Sequence, residues 1–444
     1  MRKPAHALAT SRVGHLSRWR HPLVISLLFT LSLVATQAQG KPEDKDKKKQ
    51  RTKARVEAPK EAKAFPAEEG NSHHTGFRTA RGFELNLEGY TQVRYQRIED
   101  DPKVAGFIGR NDGFGLSNAR LNLSARKESL SAYFSLEGAR DRRLPNNRAE
   151  GEVRTMILDA FMTYEFSPMF RIQLGRFKPA FDANELESTA GLLFVDRALE
   201  SRGVLGVEGL NVAGLSLARQ QGLQLNGVFA FDRQKNTRLK YFVSFTNGNS
   251  AEQPLNDNDS ISVVGRLEFN HRVNRDLSIK LGGGAYMNEI TEGSLPDLIS
   301  EERMGYTADA AFKVYGLRLR GQWMRQDSTF IDVPQEPKRV AQGYHAIVGF
   351  DLGKLGPELK GIMPAYRFAT YDPTYQAESD NSTLAEGLDA DLITHHSIGL
   401  NLFMNKMKVI QKPLKFQINY TIAKEEKARR ANNDRLDVLF QMSF

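Results

Sequence analysis

Basic side chains recur at alternating positions along the chain: Arg94, Arg120, Arg126, Arg171, Lys240, Arg266, Lys280, Lys313, Arg318 and Arg320. Glu84, Glu88, Glu137, Asp159, Glu268 and Asp309 are interspersed among them. The chemistry open to such a set is electrostatic. Charges projecting from a wall into a wet space sort ions by sign where they cluster; each arginine paired with a neighbouring carboxylate stiffens the wall instead. Covalent chemistry has little support. With no cysteine there is no thiolate nucleophile, thiolate zinc site, disulfide or lipidated thiol. The chain contains no HExxH, GxSxG, Walker or EF-hand spacing. His73-His74 and His395-His396 lack metal-partner spacing, and Asn256 to Asp259 reads as a solvated loop. Neither a metal nor a cofactor is expected.

The elements that must position these charges are strands. In Phe83-Glu84-Leu85-Asn86-Leu87-Glu88, apolar and polar side chains alternate, which puts them on opposite faces of an extended ribbon. Ala119 to Arg126, Leu239 to Phe245, Leu277 to Leu281 and Leu317 to Trp323 repeat the pattern. About sixteen such segments of roughly ten residues occur, the length a tilted strand needs to cross a bilayer. Breaks such as Asp100-Asp101-Pro102, Leu144 to Asn147, Asn256 to Asp259 and Asp372-Pro373-Thr374 separate them. Gly282-Gly283-Gly284 reads as a bend or a close approach within a strand. A soluble sandwich would alternate too, but it would not carry full charges strand after strand on its polar face. The fold expected is all-β: a transmembrane antiparallel barrel of about 16 strands over residues 76–444.

Two segments precede it. Residues 1–38 hold five basic residues and no acid, then the apolar run Leu23 to Val34 and a small-residue exit. That is the pattern of a secretory signal peptide. Residues 39–75 are rich in Lys, Ala and Glu, too poor in apolar surface to fold, and are expected to be a disordered tether in the periplasm. Its basic cluster Lys47 to Lys53 has no interleaved aromatics, so nucleic acid is not an expected partner. The formal net charge of +9 belongs largely to these segments. Residues 1–38 carry +5 and residues 39–70 have ten basic against seven acidic residues, which leaves +1 for residues 71–444.

At the other end Leu436, Val438, Phe440, Met442 and Phe444 are apolar at every second position. A terminal Phe closing an alternating strand resembles the targeting signal of bacterial outer-membrane barrels, with Phe440, Met442 and Phe444 as its key positions. The partners expected are outer-membrane lipids and, through this strand, the barrel-assembly machinery of a Gram-negative-type cell.

Several stretches resemble, in order, the phosphate-selective porins of the O and P type. They are Leu158 to Tyr164, Leu174 to Phe181, Phe194 to Leu199, Tyr241 to Gly248, Val264 to Phe269, Ser397 to Leu402, Leu414 to Tyr420 and Phe440 to Phe444. The resemblance implies a sixteen-stranded, trimeric porin whose channel narrows at an inward-folded loop and passes small hydrophilic solutes with a mild preference for anions, phosphate among them. The longest break after the fifth strand, Pro179 to Arg202, is the natural place for that loop. Lys178, Arg197 and Arg202 stand in it or at its base, opposed by Asp182, Glu185 and Glu187. An outer-membrane receptor or adhesin barrel, or a barrel hydrolase, is the alternative.

Overall fold

The computed structural model describes residues 75–79, 82–99, 112–141, 153–205, 208, 212–234, 236–248, 256, 258, 260–294, 297–331, 338–377, 392–407, 413–426 and 433–444. The expected signal peptide, residues 39–74 of the tether, the His73-His74 pair and the breaks at Asp100 to Pro102 and Leu144 to Asn147 lie outside the described residues.

The chain runs through β1 (Thr75–Arg78), β2 (Glu84–Ile98), β3 (Gly113–Lys127), β4 (Leu130–Asp141), β5 (Val153–Ser167) and β6 (Phe170–Phe177). An excursion over residues 178–219 follows. It holds α1 (Ala183–Leu186), a 3-10 turn (Thr189–Gly191), α2 (Leu199–Arg202) and the two-residue strands β7 (Gly203–Val204) and β8 (Val212–Ala213). Then come β9 (Gln220–Ala230), β10 (Thr237–Thr246), β11 (Ser262–Arg272), β12 (Leu277–Ser294), β13 (Asp297–Val314) and β14 (Leu317–Phe330). The last strands are β15 (Arg339–Phe350), β16 (Ile362–Ala377), β17 (Ile393–Phe403), β18 (Leu414–Glu425) and β19 (Arg435–Ser443).

Sixteen of these, β2–β6 and β9–β19, close one antiparallel barrel. β6 meets β9 across the excursion, and β19 pairs with β2 from Arg435↔Ile98 to Ser443↔Tyr90. Closure satisfies the backbone groups that an open edge would leave bare in lipid. Phe444 completes the seam by exchanging backbone bonds with Gly89 at 3.0 and 3.1 Å. β1 lies against β2 beyond the point where β19 ends. No helix among the described residues is long and apolar enough to cross a membrane.

The alternation sets the two faces. On β19, Phe440 and Met442 are 43% and 49% exposed outward while Gln441 between them is 5% exposed inward. Leu121, Leu123, Met162, Leu174, Leu267, Leu281, Ile398 and Ile418 continue the outward apolar belt. The inward face is polar, with Gln92, Glu137, Gln173, Gln224, Arg266, Gln322, Asn401 and Asp437 all buried.

The apolar core lies inside the barrel, where the excursion packs on the wall. Phe181, Leu199, Val204, Val212 and Leu215 meet Val264, Tyr286, Met324, Ala341, Ala369, Tyr371 and Ile393. Leu193 and Phe194 meet Ile347, Met363 and Ala365. Gly343 and Gly399 clear the wall for this contact: an added Cβ would lie 2.5 Å from the Glu200 side chain and 3.0 Å from the Phe194 ring.

Two local expectations are amended. Asp372-Pro373-Thr374 does not end a strand, because β16 runs through it. A register shift between Val340 and Gln342 lets the donor-less Pro373 fall outside the ladder. Gly282 produces a close approach rather than a bend, since a Cβ there would sit 2.2 Å from Arg266 Nη2 and 2.5 Å from Asp309 Oδ2.

Candidate functional site

The inward loop is longer than Pro179 to Arg202, reaching Arg219 through the β7–β8 ribbon. Its start is fixed by α1, whose N-cap is Asp182: Oδ1 accepts from the backbone N–H of Asn184 at 2.8 Å and Glu185 at 3.1 Å. The same oxygen accepts from Gln322 Nε2 of β14 at 2.9 Å, which ties the loop to the far wall. Burial and the nearby Glu185 carboxylate raise the pKa of Asp182.

The three cations expected at the loop are held by the loop's own acids. Lys178 bonds Glu185 at 2.5 Å, Arg197 bonds Glu185 at 2.7 Å, and Arg202 bonds Glu208 at 2.8 Å. Arg197 also donates to the backbone carbonyls of Asn184 and Glu187, so it staples the loop to itself. Burial would raise the Glu185 carboxyl, but Arg197 and Lys178 outweigh it and hold it at about 2. Burial pushes the Lys178 ammonium down to about 7, against the pull of Glu185 and with help from Arg197 and Arg219.

The loop acids reach cations of the wall. Glu187 bonds Arg320 at 2.6 Å, and Asp196 bonds Arg94 at 2.9 Å and Arg435 at 2.8 Å. Arg435 also bonds Asp437 at 2.8 Å and Glu208, and Arg94 bonds Asp437 at 2.7 Å. Arg94, Arg202 and Arg435 thus neutralise Asp196, Glu208 and Asp437 at the β19–β2 seam. Burial would raise Asp196, but Arg94 and Arg435 hold it well below the usual carboxylate range. Backbone carbonyls of the loop take further donors: Arg367 reaches Asp196 O at 2.7 Å, Lys415 reaches Ala190 O at 2.8 Å, and Arg266 reaches Phe181 O at 3.1 Å.

Elsewhere on the wall most expected cations are also paired. Arg120 bonds Glu137 at 3.1 Å and Arg171 bonds Glu165 at 2.9 Å. Arg266 bonds Asp309 at 2.6 Å, while Glu268 receives Lys240 at 2.8 Å and Lys280 at 2.9 Å. Arg126 stands opposite Glu84 in register. Lys313 and Arg318 differ. They are direct cross-strand partners on β13 and β14, share the inward parity of Asp309 and Gln322, and make no ion pair or hydrogen bond among the described residues. Like charges directly opposite one another are unfavourable, and an anion bound between them would relieve the repulsion. Nearby, Arg275, Lys354 and Lys360 surround Lys313 at the short-turn rim, with Asp276 and Asp351 among them.

Arg219, Arg367, Lys415 and Arg435 were not among the expected cations. The alternation in Tyr366-Arg367-Phe368, Leu414-Lys415-Phe416 and Arg435-Leu436-Asp437 carries the signal that finds the last three. Arg219 lies in the loop, where no periodicity applies; it forks onto Asp159 at 3.0 and 3.1 Å. His395 and His396 point to opposite faces, since His395 is buried inward while His396 bonds the outward Tyr366 at 2.8 Å. Among the described residues no group of three or more candidate ligands could hold a metal ion.

Residues 83–258 match the family described as phosphate-selective porin O and P. Among solved structures the barrel is similar to the outer membrane channel DcaP of Acinetobacter baumannii, at 11% identity and a TM-score of 0.56, over 83% of this chain and 99% of that one. It is also similar to two forms of OmpT, an outer membrane protein of Vibrio cholerae. A loop L8 deletion mutant matches at 10% identity and TM-score 0.51, and an in-vitro folded trimer form at 11% and 0.50. Each covers 82% of this chain and 99% of its own. At these identities the likeness is one of fold. No curated protein sequence matches the chain.

Proposed function

We propose that this chain, whose residues 83–258 match the phosphate-selective porin O and P family, is an outer-membrane porin that passes small hydrophilic solutes with a mild anion preference set by the Lys313–Arg318 pair. The observation that carries the preference is that most of the other lumenal cations are paired with carboxylates, while Arg367 and Lys415 are tied to backbone carbonyls of the inward loop. Arg94, Arg120, Arg171, Lys178, Arg197, Arg202, Arg266, Lys280 and Arg320 each face a carboxylate within 4 Å. A paired charge adds little net field to the lumen, whereas Lys313 and Arg318 add two positive charges at one level. They sit where β13 turns into β14, at the end that carries the short connections and the C-terminus, the periplasmic end in barrels of this kind.

The excursion narrows the lumen as a fixed constriction. Its many wall contacts and two apolar clusters favour a static element over a mobile lid. Transport is passive, with no hydrolytic step, cofactor or metal. Phosphate is among the anions the basic level suits, and the family match supports it. The C-terminal strand with Phe440, Met442 and Phe444 serves as the signal to the assembly machinery, outer-membrane lipids cover the apolar belt, and three copies assemble, as OmpT does in its trimer form.

The test is reconstitution of the purified chain into planar bilayers. Stepwise ohmic conductance supports the channel. No conductance from folded protein would replace it with a receptor or adhesin barrel.

A further inference from the structure

The lumenal wall away from the basic level carries an aromatic pair that takes no part in the packing of the inward loop or in the charge pattern. Tyr133 on β4 and Phe161 on β5 are direct cross-strand partners, with ring centroids 5.3 Å apart and planes tilted by 32°. Both point inward. On β4 the same parity carries Ser135 and Glu137, 1% and 5% exposed, while on β5 the opposite parity carries Met162 and Tyr164, 58% and 48% exposed to the outside. Neither ring belongs to the two apolar clusters beneath the inward loop. The lumenal positions around them, Ser131, Ser135, Asp159 and Thr163, are all polar. A phenylalanine facing a wet lumen keeps apolar surface in water unless a solute covers it.

The flanking groups say which solute. Asp159, two residues from Phe161 and so on the same face, is forked onto Arg219 at 3.0 and 3.1 Å. On the other side the buried Ser135 donates to Asn122 Oδ1 at 2.7 Å, which fixes the amide and leaves its N–H donors free. Charged and amide groups with spare lone pairs and N–H donors therefore border a flat apolar surface. A pyranose has the matching faces, with axial C–H groups to lie on a ring and equatorial hydroxyls around its rim to bond the surrounding side chains.

We propose that Tyr133 and Phe161, with Asp159–Arg219 and the Asn122 amide at their edges, form a lumenal site for a pyranose ring. The proposal rests on the porin reading, since the solute must enter the lumen, but not on the anion preference. It makes the wall of β4 and β5 a transient station for sugars on their way through the channel.

Single-channel current in symmetric KCl, titrated with maltotriose, tests it on the full chain. Mannitol, which offers hydroxyls but no ring face, is the control. Wild type should show concentration-dependent interruptions with maltotriose and none with mannitol. Phe161→Leu keeps the volume of an apolar side chain and removes the aromatic face; it should raise the half-blocking concentration about tenfold at unchanged open conductance. Phe161→Ala should abolish the block. Equal block by mannitol, or an unchanged half-blocking concentration in Phe161→Leu, would overturn the site while leaving the porin intact. Absence of any wild-type current would overturn the porin reading, and the site with it.

Discussion

Lys313 and Arg318 face each other across the β13–β14 ladder, both directed into the lumen, and neither bonds a carboxylate among the described residues. Four positions along β14 and β13, Gln322 pairs in register with Asp309, whose carboxylate is taken by Arg266 at 2.6 Å. The hairpin thus carries a carboxylate spent on Arg266 of β11 at one level and two cations with no bonded carboxylate at the other. Selectivity follows from which charges are left over rather than from how many there are.

Reversing the unspent pair should reverse the preference. In Lys313→Glu with Arg318→Glu, the anion-to-cation permeability ratio is expected to fall by about fivefold or more, since a unit charge at 4 Å in a water-like medium is worth about 1 kcal/mol. Arg120→Gln, which removes a cation already bonded to Glu137, should shift the ratio toward cations far less. Reversal potentials of both variants check this. The wild-type preference should also fade between about 0.1 and 1 M salt, as the screening length shrinks from about 10 to about 3 Å.

The clasp at the barrel seam should govern the loop. Asp196→Ala leaves Arg94 and Arg435 to share Asp437 and strips Arg435 of one of its three acids. Removing one partner of a buried network costs about 3–5 kcal/mol. The variant should unfold at lower temperature in detergent, with larger and noisier single-channel conductance as the loop loosens from the seam.

Lys178 gives the channel a step near neutral pH. Its ammonium, held down to about 7 by burial against the opposing pull of Glu185, loses its charge as pH rises through that value, while Glu185, at about 2, stays ionised. The loop therefore becomes more negative by one charge between pH 6 and 8, and anion preference should fall over that interval. Lys178→Met should remove the step. Reversal potentials measured at the two pH values report it directly.

The glycines of β11 and β12 predict a contrast in stability. Gly282→Ala drives a Cβ into the Arg266–Asp309 pair and should destabilise the barrel by about 3 kcal/mol. Gly265→Ala, with open space around its Cβ, should stay within about 0.5 kcal/mol of wild type. Thermal unfolding of the two variants in the same detergent separates them.

The barrel was legible because period two is a local property. Phe83 to Tyr95 and the closing run to Phe444 each declare an apolar face without reference to anything distant, and the sixteen segments add up to a closed sheet. Inward parity was legible for the same reason at Arg94, Arg266 and Arg318. What alternation cannot carry is pairing. Arg320 meets Glu187 across 133 residues and Arg94 meets Asp437 across 343. Those meetings follow from loop geometry and barrel closure, so a ladder of cations in the sequence becomes, in three dimensions, mostly a set of neutral pairs. The loop was placed by its length alone; the fork of Arg219 on Asp159 and the clasp through Asp196 needed the fold.

The most direct measurement is the reversal potential of the wild-type channel in a planar bilayer across a tenfold KCl gradient at pH 6 and low ionic strength. A potential displaced toward the chloride equilibrium value, and abolished or inverted in Lys313→Glu with Arg318→Glu, is the predicted result. A wild-type potential on the potassium side, or one that the double variant leaves unchanged, would contradict the account.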